Sequence, residues 1–269
     1  MEMVGLSCSG CGSTNIVFDP KARTVYCNQC GKREYYTRAT INASGKVVHG
    51  KRNAINFFTQ GRFRDARDFA MDVLNISLDN APALFIISYC DEFVDHKYGK
   101  MKDFFTNIKE VPLEYEEIMD IRELIITAAP NIKEYEEDVI ELVAKNMQDP
   151  SFKEDICELI DKVCPFWISK RTSIASFTPT LMGMYEELAG YCVIPKTCLA
   201  LLKAIEMNPD SPYSGKGFYL KTKVQVFYDR FVVPVGKIIQ SMNSESLRAK
   251  FSGAYKKIVQ KYEADAKAV

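Results

Sequence analysis

The sequence predicts a mainly α-helical protein with a small β-rich module at its N-terminus. Three observations carry that expectation. Residues 1–38 are rich in cysteine, glycine and β-forming residues. From Asn53 onward apolar residues recur three and four apart, the spacing of one helix face. Prolines then punctuate the helical stretches, at Pro82, Pro112, Pro130, Pro150, Pro165, Pro179, Pro195, Pro209 and Pro212.

In the N-terminal module, 14–18 (TNIVF) and 24–26 (TVY) read as short strands joined by the turn Asp19-Pro20-Lys21-Ala22. Cys8 and Cys11 form one C-x2-C pair and Cys27 and Cys30 a second, with fifteen residues between the pairs. That spacing suits four thiolate ligands around a tetrahedral zinc ion. Gly12 and Gly31 each follow the second cysteine of a pair, where a residue without Cβ lets the chain curl around a metal. A closed four-thiolate shell leaves no position for water or substrate, so one zinc ion per chain is expected in a structural role. About 35 residues cannot bury an adequate core, and metal binding then supplies the folding free energy.

The two knuckles, Cys8-Ser9-Gly10-Cys11-Gly12 and Cys27-Asn28-Gln29-Cys30-Gly31, resemble a zinc ribbon of the transcription-factor-IIB type. Ribbons of this kind contact nucleic acid or protein. Here the candidate surface is Lys21, Arg23, Lys32, Arg33, Tyr35, Tyr36 and Arg38. Basic residues interleaved with aromatics suit single-stranded nucleic acid, and they also suit an ordinary exposed ribbon face whose tyrosines pack on the next domain.

Residues 39–52 are expected to be a linker or a small hairpin around Ser44-Gly45, and residues 53–269 a helical domain. Helical spacing covers 62–78, 113–128, 131–147, 151–163, 180–192, 196–207 and 220–262. Pro234 falls inside the last of these and either kinks or splits it. Within 53–110, the stretch 54–80 resembles a tetratricopeptide repeat. Ala54 and Phe57 stand on a first helix, Gly61 falls in the turn, and Phe63, Ala66, Phe69, Ala70 and Val73 line a second. A fainter copy follows 38 residues later, where Gly99 to Phe104 echoes Gly61 to Ala66. Stacked hairpins would present a face for a protein or peptide partner; a compact helical bundle is the alternative.

Composition narrows the function further. Lys plus Arg equals Asp plus Glu, so bulk charge does not make the molecule a polyanion binder. The charge is nevertheless arranged in blocks: basic over 1–64, acidic over 110–161 and basic again over 162–269. The N-terminus has neither a basic nor an apolar leader segment, and nine cysteines suit a reducing compartment, so a cytoplasmic location without membrane association is expected. The two histidines, His49 and His96, have no neighbouring nucleophile motif.

Ten carboxylates in two groups (Glu114, Glu116, Glu117, Asp120 and Glu123, then Glu134, Glu136, Glu137, Asp138 and Glu141) read as solvated helix surface. Cys90, Cys157, Cys164, Cys192 and Cys198 read as buried thiols, with Cys192 and Cys198 alternatively a pair across Pro195. Ser214 to Gly217 lacks the phosphate-loop pattern and reads as a connector. Trp167 and the cluster Phe218, Tyr219, Phe227, Tyr228 and Phe231 read as core rather than as a partner anchor. No catalytic constellation is present. The expected function is that of a non-enzymatic protein-binding adaptor, with nucleic-acid binding through the ribbon face as the alternative.

Overall fold

Alternation of buried and exposed residues makes the N-terminal module a sheet. Strands β1 (Ile16–Asp19), β2 (Thr24–Cys27) and β3 (Arg33–Tyr35) pair antiparallel in that order. Ile16 faces Cys27 and Val17 faces Tyr26 across the first pair, and Tyr26 faces Arg33 across the second. Because directly opposed residues share a face, Ile16, Val25 and Cys27 point inward and are buried, while Val17 and Tyr26 point out. The computed structural model describes residues 7–8, 10–19, 24–35, 45–109, 111, 113–146, 153–171, 176–191, 194–208 and 221–267.

The rest of the described chain is helical, as expected. It falls into two compact units, Met1–Ala128 and Ala129–Val269. The first helix, α1 (Gly45–Thr59), begins earlier than expected, so residues 45–52 of the stretch read as linker or hairpin are helical. Burial of Val47, Ala54, Ile55 and Phe58 on one face drives that extension.

In the first unit, α1 is followed by α2 (Phe63–Leu74), α3 (Ala81–Tyr89), α4 (Lys100–Ile108) and α5 (Tyr115–Ala128). Each of α1 to α4 packs on its neighbour in sequence, and α5 packs on α1 and α3. Gly61 (φ 75°) ends the first hairpin's turn and Gly99 (φ 85°) the second's. The 38-residue echo in sequence therefore has a counterpart in backbone geometry, since positive φ at both sites favours glycine. Small residues let α1 and α2 approach closely. A Cβ on Gly50 would lie 2.8 Å from Val73 Cγ2, and Ala54, Ala66 and Ala70 are fully buried. Phe58 fills the centre, edge-on to Phe63, Phe85 and Tyr89. The helix α3 continues as a π turn over Cys90–Val94, from which the buried Glu92 caps α4 by accepting the Met101 N–H at 2.8 Å.

The second unit contains α6 (Glu136–Asn146), α7 (Lys153–Ser169), α8 (Pro179–Tyr191), α9 (Pro195–Met207), α10 (Lys221–Phe227), α11 (Val233–Ser241) and α12 (Glu245–Lys267). Its core packs α7 on α9 and α8 on α11. Pro179 and Pro195 open helices, as their fixed φ suits. Pro165 does not break the chain as expected but lies inside α7. Packing of Val163, Cys164, Trp167 and Ile168, all buried, outweighs the missing N–H bond. Pro234 is accommodated by a π turn over Tyr228–Val232, after which it sits in the first turn of α11. Trp167, Phe227 and Phe231 are core, whereas Phe218 and Tyr219 lie outside the described residues. No helix among the described residues is long and apolar enough to cross a membrane.

Candidate metal centre

Two copies of one backbone motif, nineteen residues apart, bring the four cysteines together. In the first, the Gly12 N–H donates to the Cys8 carbonyl at 2.8 Å and the Cys8 N–H to the Ser13 carbonyl at 2.9 Å. In the second, Gly31 donates to Cys27 and Cys27 to Lys32, both at 2.9 Å. The glycines match as well, with φ of 71° at Gly12 and 73° at Gly31. A further clasp joins the halves: Asn28 donates through its backbone to the Asn15 carbonyl (3.0 Å) and through its side chain to Asn15 Oδ1 (2.9 Å).

These turns place all four Sγ atoms within 4.8 Å of one another. Cys8 and Cys30 are 3.5 Å apart, and Cys11 and Cys27 are 3.6 Å apart. A tetrahedral thiolate centre with metal–sulfur bonds of ~2.3 Å has sulfur–sulfur edges of about 3.8 Å. The donor set therefore fits a single metal ion. Backbone N–H groups are aimed at the sulfurs: Gly10 N lies 3.3 Å from Cys8 Sγ, and Ser13, Gln29 and Lys32 serve Cys11, Cys27 and Cys30 in the same i+2 relation. Such bonds favour the anionic form of a thiol. At Cys27 the N–H groups of Cys30 and Gln29 prevail over burial and bring the thiol to about 7. At Cys11 the Ser13 N–H acts downward but is outweighed by partial desolvation and the neighbouring thiols, which leave it at about 12. Cys8 and Cys27 are buried, while Cys11 and Cys30 are exposed. Among the described residues this is the one cluster of three or more cysteine, histidine or carboxylate side chains close enough to hold an ion.

Of the basic and aromatic candidates, Lys32 forms an ion pair with Glu34 at 2.7 Å, and that bond raises its pKa. Arg33 is exposed on β3, and Tyr35 pairs in register with Thr24. Lys21, Arg23, Tyr36 and Arg38 lie outside the described residues. Sequence reasoning overlooked Val17 and Tyr26, which stand 43% and 44% exposed in one row with Arg33 across the three strands. Only the strand register aligned the row.

Elsewhere the two carboxylate groups do not form a solvated surface throughout. Glu117, Glu136 and Asp138 are buried. Glu117 accepts the N–H groups of Ala81 (3.4 Å) and Glu114 (3.2 Å). Glu136 accepts from Arg171 and from the Tyr185 hydroxyl; burial raises its pKa, and Arg171 opposes the shift. Cys90, Cys164 and Cys198 are buried and Cys157 is half-buried, while Cys192 and 214–217 lie outside the described residues. His49 is exposed on α1. Comparison with protein-family models, with curated proteins and with solved structures returned no match.

Proposed function

We propose that this chain is a non-enzymatic protein-binding adaptor whose N-terminal module is a zinc ribbon holding one structural zinc ion. Four thiolates at tetrahedral separations, each served by a backbone N–H, support zinc as the occupant. Their closed shell leaves the ion a folding role. We read the paired hairpins of the first unit as degenerate tetratricopeptide-like repeats, and the cytoplasm as the compartment that keeps the thiols reduced.

The observation that carries the binding role is the outward row Val17, Tyr26 and Arg33. The aromatic Tyr26 beside the guanidinium of Arg33 matches the residue types enriched at protein interfaces, with Val17 adding apolar surface next to them. Electrostatics favours protein over nucleic acid as the occupant. Residues 1–38 carry five Lys and Arg against three Asp and Glu. Four thiolates around a divalent ion add two negative charges, which cancels that excess.

Capture from native lysate with the zinc-loaded full chain tests the reading. A protein partner should be recovered in near-equimolar amount and lost with Tyr26→Ala, whose side chain is half exposed and separable from folding. Recovery of nucleic acid alone would overturn it. Nucleic-acid binding remains the second reading because Tyr26 and Arg33 are adjacent, a stacking surface beside a cation. It requires affinity for single-stranded oligonucleotides that falls steeply with salt.

A further inference from the structure

We propose that Lys32 is a positioning residue of the metal centre, its ammonium balancing the thiolate charge on Cys8 and Cys30 while the paired Glu34 carboxylate partly offsets that balance. The inference rests on the zinc-ribbon reading. Lys32 belongs to the second knuckle through its backbone, whose carbonyl accepts the Cys27 N–H. Its side chain crosses to the first knuckle. Lys32 Cδ lies 2.9 Å from the point where a Cβ on residue 10 would stand. The same point is 3.6 Å from Cys8 Sγ and 3.7 Å from Cys30 Sγ. The methylene stem therefore occupies space left open by Gly10, a spot that the Cys8 and Cys30 sulfurs also border.

Beyond the stem, Nζ meets Glu34 Oε1 at 2.7 Å, and β3 fixes Glu34 opposite Val25. The internal symmetry of the centre isolates this cation. Ser13 occupies the position equivalent to Lys32, and its carbonyl makes the same bond to the first cysteine of its pair. The knuckle backbone thus forms without a lysine there, and the charge on one side is a separable addition. Four thiolates around a divalent ion carry excess negative charge, and a cation beside two of them favours the loaded state. Glu34 acts in the opposite electrostatic sense. With the Lys32 side chain 47% exposed, salt should screen the effect.

The test is zinc affinity of the full-length chain, measured by competition with a chromophoric chelator at low and high salt. Lys32→Met keeps the stem and removes the charge; it should bind zinc about 10-fold more weakly at low salt, as loss of an outer partner does. Lys32→Arg should stay within about twofold, and Glu34→Gln should bind about 2- to 3-fold more tightly, each difference shrinking at high salt. The thiolate-to-metal absorption of cobalt-loaded Lys32→Met should match wild type, showing that all four ligands still assemble. Equal affinity of Lys32→Met and wild type at low salt would overturn the proposal, as would a loss that salt leaves unchanged or a weaker Glu34→Gln. Failure of the wild-type chain to take up zinc at all would instead overturn the zinc-ribbon reading.

Discussion

The indole N–H of Trp167 donates to the backbone carbonyl of Ala129 at 2.7 Å, and Trp167 is fully buried. The only tryptophan of the chain thus ties α7 to the segment that opens the second unit. Trp167→Phe keeps most of the apolar volume but strands a carbonyl. It should destabilise the second unit by about 1–3 kcal/mol, read as a lower urea midpoint in far-ultraviolet circular dichroism.

Arg171 and Glu136 form a buried ion pair, with side chains 10% and 2% exposed. The Tyr185 hydroxyl shares the carboxylate, and the Arg171 guanidinium also donates to the Ser176 carbonyl at 2.6 Å. Removing one partner leaves the other charge buried without its counter-ion. Arg171→Met should therefore cost about 3–5 kcal/mol. The double variant Arg171→Met with Glu136→Gln should recover part of that loss, and a double-mutant cycle by chemical denaturation measures the coupling.

Gly50 lets α1 and α2 meet, with Val73 Cγ2 2.8 Å from where a Cβ would stand. Overpacking there should make Gly50→Ala destabilising by about 1–3 kcal/mol despite alanine's better helix propensity. Adding Val73→Ala, which vacates the space, should restore part of the loss. Thermal unfolding of the single and double variants decides between crowding and a backbone effect.

Chelation should separate the cysteines into two classes. Cys11 and Cys30 are exposed and should alkylate with iodoacetamide once a strong chelator is present. Cys164 is fully buried, and burial pushes Cys90 and Cys198 up to about 12. At pH 8 these thiols are protonated and shielded, so they should react only in denaturant. On the zinc-ribbon reading, helical circular dichroism should survive chelation while the N-terminal module becomes protease-sensitive, because a bound ion would supply folding free energy to that module alone. Peptide mass spectrometry after timed alkylation reads both classes.

Helices and knuckles were legible because their cues are local. A C-x2-C-Gly turn makes its own hydrogen bonds within six residues, so the convergence of Cys8, Cys11, Cys27 and Cys30 could be read from spacing. Helix starts at Pro179 and Pro195 followed from the fixed φ of proline. Gly61 and Gly99 announced two hairpin turns in the same way.

What depended on partners distant in sequence was not legible. Glu136 looks like any acidic helix residue until Arg171 and Tyr185, 35 and 49 residues away, enclose it. Pro165 looks like a helix stop until buried neighbours hold α7 through it. Asp161, four residues earlier on that helix, looks like surface until its carboxylate accepts the Thr197 N–H at 3.0 Å and caps α9. The sequence by itself determined where the chain turns, where it coils and which four sulfurs converge, since each is set by contacts between near neighbours. Only the tertiary structure decided which charges are buried, how Val17, Tyr26 and Arg33 align, and where the helical chain divides, because burial and register are properties of segments brought together by folding.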